Sequence, residues 1–308
     1  MPTRPSNNTL AHLLLLAVVI VWGATFVLVK DALQDASPLL FNLLRMTIAA
    51  ITLAIVNHRQ LRQISRKSLI SGTIVGIFLA TGYQFQTAGL AHTTPAKSAF
   101  ITGLVVIFVP VFNIFPAIRP SNAPPPRWPA AIGAILAFAG LLLLTTPAGT
   151  TAKNIFSSIG LGDLLTLVCA IAFAAHLISL SHTSPHVPTA QLATIQITVA
   201  AIVMAITLPL GGKLHLAMTP RLLIALAITS LLATAAAFTI QSWAQKHLPP
   251  VHTAVLLTLE PVFAAITAFL VLHEHLNRRS LAGAALILAG IAFIELLSTS
   301  QPIPNYPI

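Results

Sequence analysis

Glu260 stands inside the apolar run 253–272 and is followed directly by Pro261. A carboxylate at lipid depth is costly unless it faces a cavity, finds a partner or takes up a proton. Helical rise puts Glu260 roughly 10 Å from one edge of its run. Pro261 cannot donate to the Leu257 carbonyl and clashes with it, so the helix is expected to bend there. Freed carbonyls beside a carboxylate suit a proton or another cation. Glu260 and Pro261 are therefore expected to serve gating and coupling, with a proton or a counter-substrate as the coupled species. A structural carboxylate bonded to a neighbouring helix fits the same residues. Arg45, in the run 38–56, is the other charge at depth. Its depth differs from that of Glu260 by roughly 10 Å, so the two are not expected to pair. Arginine keeps its proton and must pair, snorkel or meet water. The expectation for Arg45 is structural: snorkelling, or bonding carbonyls at a helix end.

Uncharged polar groups extend the set. Gln86 and Gln241 lie in separate apolar runs, and amides at such depth hydrogen-bond across helices at about 0.6–2 kcal/mol each. Tyr83 lies one turn before Gln86 on the same face, which makes a stripe suited to a small zwitterion. Trp22 and Thr25 share a face near the middle of their run. A tryptophan away from the membrane interface lines a cavity or packs tightly. The Thr102 hydroxyl can bond its own helix and so costs little to bury. His176 stands mid-run, where a packed, hydrogen-bonded ring is the plainer reading and a proton relay the sharper one. Trp22, Thr25, Tyr83, Gln86, Thr102, His176 and Gln241 are the candidates for substrate binding, with helix–helix adhesion as the plain alternative.

Other chemistries lack their residues. There is no Gly-rich phosphate loop, HExxH or nucleophile elbow. The six acids are Asp31, Asp35, Asp163, Glu260, Glu274 and Glu295, most of them at run ends, and they form no catalytic carboxylate pair. The 11 histidines and the single Cys169 form no set with zinc spacing. No enzyme activity, metal or cofactor is expected. The 16 basic residues outnumber the 6 acids. They lie between apolar runs, where they set orientation and meet lipid headgroups. They form no patch interleaved with aromatics, which excludes nucleic acid.

What positions these residues is a membrane. The chain has 308 residues, 56% apolar and 7% charged; a soluble domain carries about a quarter charged residues. A spanning helix needs about 20 mainly apolar residues. Runs of that kind cover 10–29, 38–56, 69–90, 98–117, 129–147, 161–180, 190–210, 222–244, 253–272 and 280–297. The first is read as a span rather than a cleavable signal, because Leu13–Val29 is longer than a signal core. Arg4, Arg59, Arg62, Arg66, Lys67, Arg119 and Arg127 fall on the N-terminal side in the first half, against Lys30, Lys97 and Lys153 opposite. Positive residues stay inside, so both termini are expected in the cytoplasm. The bias reverses in the second half, where Lys213, Arg221, Arg278 and Arg279 lie opposite and only Lys246 inside.

A reversed bias suggests two similar halves inserted in opposite directions. A shift of 151 residues sets Trp22 on Phe173, Thr25 on His176 and Arg45 on Gln196. A shift of 155 sets Gln86 on Gln241, His92 on His247, Pro95 on Pro250 and Phe108 on Phe263, and one of 150 sets Gly133 on Gly283 and Gly140 on Gly290. The fold expected is an all-α membrane protein of ten transmembrane helices in two inverted five-helix repeats, residues 1–150 and 151–308. Gly72-x-x-x-Gly76 and the Ala-rich stretch Ala233–Ala237 permit close helix approach. Pro116–Pro129 is read as a stiff cytoplasmic linker and Ser298–Ile308 as an unstructured tail.

Five stretches in order carry a resemblance. They are Val21-Trp22-Gly23-Ala24-Thr25-Phe26, Gly82–Leu90, Ala99–Leu104 with Val109-Pro110, Leu259–Ala265, and Gly283–Gly290. Together, over about residues 10 to 297, they resemble the EamA family of the drug/metabolite transporter superfamily. The resemblance implies ten helices, inverted repeats, and alternating access around a central cavity lined by spans one, three, four, six, eight and nine. It implies export of small organic metabolites such as amino acids across the inner membrane. A lipid or lipid-linked sugar flippase is the alternative; few fixed charges count against it. Two departures stand out. His273 occupies the place of the family's usual glycine before Glu274. The first span also lacks the carboxylate that couples small multidrug relatives to protons. Two repeats in one chain make a monomer sufficient and a dimer compatible. Partners are the substrate and membrane lipids.

Overall fold

The computed structural model describes residues 7–120, 128–145, 159–248, 253, 256–257 and 259–299. Half of the Pro116–Pro129 linker and nearly all of the Ser298–Ile308 tail lie outside them. The described residues are helical, with one isolated bridge between Ala36 and Leu216. The first half holds α1 (Asn7–Ala32), α2 (Pro38–Val56), the short α3 (His58–Leu61), α4 (Arg66–Ala91), α5 (Pro95–Thr102), α6 (Val105–Phe112) and α7 (Trp128–Thr145). The second holds α8 (Leu161–Thr183), α9 (Thr189–Thr207), α10 (Pro220–Ser230), a π-helical segment Leu231–Ala236, α11 (Ala237–Ala244), α12 (Glu260–Leu272) and α13 (Arg278–Thr299). Among the described residues seven continuous stretches are long and apolar enough to cross a membrane, and Ala131–Leu144 and Glu260–Leu272 are shorter apolar helices. Large apolar side chains such as Ile55, Ile135, Ile206 and Leu270 are exposed on the outside of the bundle. In water such a surface would drive association; against lipid tails it is at home.

Local chemistry explains where helices start. Thr94 and Thr219 each precede a proline, and each hydroxyl accepts a backbone N–H in the first turn, from Lys97 at 3.4 Å and Leu222 at 3.1 Å. Proline fits that turn because its missing donor would have no helical partner there.

The fourth and ninth runs are both interrupted. α5 ends at Thr102, Gly103 and Leu104 form a turn, and α6 resumes at Val105. Leu259, which is Leu104 shifted by 155 residues, is likewise a turn residue before α12. Pro261 therefore sits in the first turn of α12, directly after the turn at Leu259, so the bend expected beside it takes the form of an interrupted helix. In that position the loss of its N–H costs little.

Packing follows the internal repeat. α4 packs on α8 and α9, while α1 and α2 pack on the α10–π–α11 run; α1 packs on α12, while α5 and α6 pack on α8. Each contact has its repeat-related mate. The α7–α13 contact relates to itself. A Cβ on Gly140 would lie 2.5 Å from the Gly283 carbonyl oxygen, and one on Gly290 2.6 Å from that of Gly133. The two helices thus cross antiparallel at their glycines, close enough for backbone contact. Gly72 and Gly76 do the same for α4 against Ile195 and Val199 of α9.

Candidate functional site

A cavity opens inside the bundle. Trp22, Thr25, Tyr83, Gln86, Thr102, His176, Gln241 and Glu260 all stand on its wall, and so does Arg45. Pro261 is not among the lining residues; it packs against the Gly103 turn, where an added Cβ would lie 2.9 Å from its ring. Spans one, three, four, six, eight and nine all contribute, and α2 joins them through Arg45.

The wall is built in repeat-related pairs. Trp22 and Phe173, Thr25 and His176, Phe26 and Leu177 are 151 residues apart; Tyr83 and Phe238, Gln86 and Gln241, Thr102 and Leu257, Val105 and Glu260 are 155 apart. Phe173, Phe238, Leu177, Leu257 and Val105 escape a reading that searches only for polar residues. The same shifts that align the halves would have located them, because a two-fold related cavity takes the same positions from each half.

Arg45 corrects the sequence expectation. It does not snorkel: it is 3% exposed. Its Nε donates to Thr234 Oγ1 at 2.7 Å, and its Nη2 donates to the Tyr83 hydroxyl at 3.1 Å and to the Ala233 carbonyl at 3.3 Å. Its guanidinium carbon also lies 4.4 Å from the Tyr83 ring centroid, a cation–π arrangement. The carbonyl it reaches is in mid-helix, not at a helix end. The π segment makes this possible, because the Ala237 N–H turns to the Leu232 carbonyl and skips Ala233. The Ala233 oxygen instead accepts from Arg45 and, at 2.8 Å, from the Trp22 indole N–H. Side chains of the first half thus dock on a bulge in the second.

The remaining polar groups are held to different degrees. Thr25 Oγ1 donates to its own Trp22 carbonyl at 2.8 Å. Gln86 Nε2 reaches Thr102 Oγ1 only at 3.5 Å. His176 Nε2 is 3.0 Å from Gln196 Oε1, and Gln196 Nε2 donates to Ser242 at 3.1 Å. Gln241 is 2% exposed, and its Oε1 has no hydrogen-bond partner among the described residues. Glu260, at the start of α12, makes no ion pair with Arg45, and no hydrogen bond from the described residues reaches its carboxylate. The described residues hold no metal-binding cluster of His, Cys, Asp or Glu.

A helical bundle with a polar pocket built twice over from one template, residues 9–146 and 160–296, matches the model of the EamA-like transporter family in both parts. The chain belongs to the EamA-like transporter family. It is 30% identical to an uncharacterized transporter of Archaeoglobus fulgidus over 93% of this chain and 86% of that one. It is 25% identical to the uncharacterized transporter YoaV of Bacillus subtilis, over 90% and 94% of the two chains. A chloroplastic WAT1-related protein of Arabidopsis thaliana is 24% identical over 89% of this chain and 66% of its own. A crystal structure covering 94% of this EamA-like chain and 97% of its own shares the fold, with TM-score 0.67 and 18% identity. As a member of this family, the protein is a multi-pass membrane transporter of small molecules.

Proposed function

We propose that this transporter exports small organic metabolites, amino acids among them, by alternating access through the cavity between its repeats. One observation carries the reading: residues related by the repeat stand in pairs around one polar and aromatic cavity. Secondary transporters place their substrate there, because a site shared by two inverted halves can be opened from either side. We read the chain as ten spans in two inverted repeats, 1–150 and 151–308; the self-complementary contacts of Gly133 and Gly140 with Gly290 and Gly283 support a two-fold axis in the membrane plane. Trp22, Thr25, Tyr83, Gln86, Thr102, His176 and Gln241 contact substrate in this reading. Glu260 couples and gates, with Pro261 fixing the turn that presents it. Both termini face the cytoplasm across the inner membrane, and a monomer suffices.

Purified protein in proteoliposomes tests this. Saturable flux of members of an amino-acid panel is expected, altered in its pH dependence by Glu260→Gln. No flux with a broad metabolite panel would overturn the reading, and lipid scrambling without solute flux would replace it with a flippase.

A further inference from the structure

We infer that the connection between α2 and α4 is a headgroup site for an anionic phospholipid, which supplies there the negative charge that Asp31 and Asp35 supply at the other end of the bundle. The inference does not depend on the cargo.

The repeat relates the two places residue by residue. The N-caps of α2 and α9, Ser37 and Pro188, are 151 residues apart. The same shift sets Asp31 on His182 and Asp35 on His186. The N-caps of α4 and α10, Ser65 and Thr219, are 154 residues apart, and each side chain accepts an N–H in the first turn. The π segment that follows α10 accounts for the change to 155 beyond it. Lys67 is therefore the mate of Arg221, each two residues past its cap. Arg221 pairs with Asp31 at 3.3 Å and with Asp35 at 2.7 Å. Where the template would bring those two acids to Lys67 it brings His182 and His186, both exposed. The packing keeps this equivalence, since Val187, next to His186, packs with Val75 of α4.

The charge at this place then accumulates. Arg59, Arg62 and Arg66 join Lys67 within nine residues; all four are exposed, and none forms an ion pair among the described residues. The described acids are spent elsewhere: Asp31, Asp35 and Asp163 in ion pairs, Glu274 on the Ala96 N–H at 3.5 Å, and Glu260 on the cavity wall. Charge of one sign concentrated in this way draws in anions. The backbone that carries it is pinned to the second half. Asn57 Nδ2 donates to Thr194 Oγ1 at 3.0 Å, and Gln191 Nε2 donates to the Gln60 and Gln63 carbonyls at 3.0 and 3.2 Å. The four cations are thus presented from a fixed frame.

The surroundings select a lipid over a free anion. Ile55 and Val56 at the end of α2, and Leu69 and Ile70 at the start of α4, are exposed next to the cations. These are the ends of two spanning helices, where headgroups meet acyl chains. A phospholipid satisfies both kinds of surface, its phosphate on the cations and its chains on the apolar side chains, and basic clusters at such helix ends recognise anionic headgroups. Free phosphate would satisfy the first alone.

The test titrates the whole purified protein in detergent with phosphatidylglycerol or phosphatidylcholine of the same acyl chains and counts retained lipid by native mass spectrometry. Phosphatidylglycerol is expected to be retained fivefold or more over phosphatidylcholine, with the preference falling as salt is added. The triple variant Arg62→Gln, Arg66→Gln, Lys67→Gln should reduce the preference to less than twofold, while Lys213→Gln, at the other end, should leave it unchanged. His186→Asp restores the acid of the template; it should also lower the preference and should raise the melting temperature in phosphatidylcholine. If the triple variant does not fold, Lys67→Gln and His186→Asp read the same preference one charge at a time. Equal retention of the two lipids by the wild type, or a preference that survives these substitutions, overturns the proposal. Displacement of the bound lipid by inorganic phosphate would make the cluster a free-anion site and overturns it as well.

Discussion

Asp35 accepts from Nε and Nη2 on one edge of the Arg221 guanidinium, at 2.7 and 2.8 Å, and from the Thr219 hydroxyl at 2.6 Å. The Arg221 hydrogen bonds, joined by that of Thr219, pull its carboxyl down to about 2. The ordinary value in an unfolded chain is about 3.9. A carboxyl with a depressed folded value stabilises the fold fully above the unfolded value and loses that contribution as pH falls through the folded one. Asp35→Asn should therefore lower the melting temperature by a constant amount from pH 8 to 5, and the gap to wild type should close toward pH 2. A gap that does not change with pH would remove the pair as its cause. His273 makes a second residue-scale case. It is the C-cap of α12 at φ 53°, ψ 33°, left-handed backbone that favours glycine. A side chain there costs roughly 1–2 kcal/mol. His273→Gly should raise stability by about 1 kcal/mol in denaturant titration, and a loss would show that the imidazole makes a contact of its own. Neither feature was fully legible in the chain. The oddity at His273 was visible without its backbone angle, and Asp35 and Arg221 are 186 residues apart, a separation no local pattern spans.

At the scale of elements, the apolar runs were legible because a bilayer demands an uninterrupted stretch and loops mark its ends. The breaks inside runs were not. Nothing in Leu-Leu-Ala-Thr-Ala-Ala distinguishes a π segment from an α-helix, since the extra residue is fixed by what docks on the freed carbonyl. Here Trp22 and Arg45 dock, and their dependence on tertiary packing is why the sequence placed Arg45 in a snorkelling or helix-end position rather than on this bulge. Thr234 holds the bulge at two points, donating to the Thr229 carbonyl five residues back at 2.7 Å and accepting from Arg45. Thr234→Val keeps the shape and deletes both bonds. It should cost about 1–3 kcal/mol, because a buried charged donor is left unpaired. Thermal unfolding of the purified protein measures that loss. Unchanged stability would mean that the bulge persists without its hydroxyl and that Arg45 finds another acceptor.

At the scale of the whole molecule, the two ends of the bundle differ in charge, and the difference bears on direction. Lys97 pairs with Asp163 at 2.8 Å, Arg221 with Asp31 and Asp35, and Lys30 donates to the Leu90 and Ala91 carbonyls, all at the end where α1 finishes. At the opposite end Arg59, Arg62, Arg66 and Lys67 are exposed around the α2–α4 connection. Counting basic residues along the chain gave a nearly even balance, because sequence alone does not show which of them are held by partners. An exposed basic cluster is the kind that anionic cytoplasmic lipid attracts, at about 1 kcal/mol per residue near the surface. On that ground we propose that Arg62 faces the inside and Lys213, exposed in the loop before α10, the outside. With the buried Cys169 replaced by Ser, Arg62→Cys in intact cells should resist an impermeant maleimide until the membrane is opened, and Lys213→Cys should react at once. The reverse pattern would turn the molecule over. The cavity would survive that result, but the end closed by cross-repeat ion pairs would then face the cytoplasm, and export would have to begin from the opposite conformation.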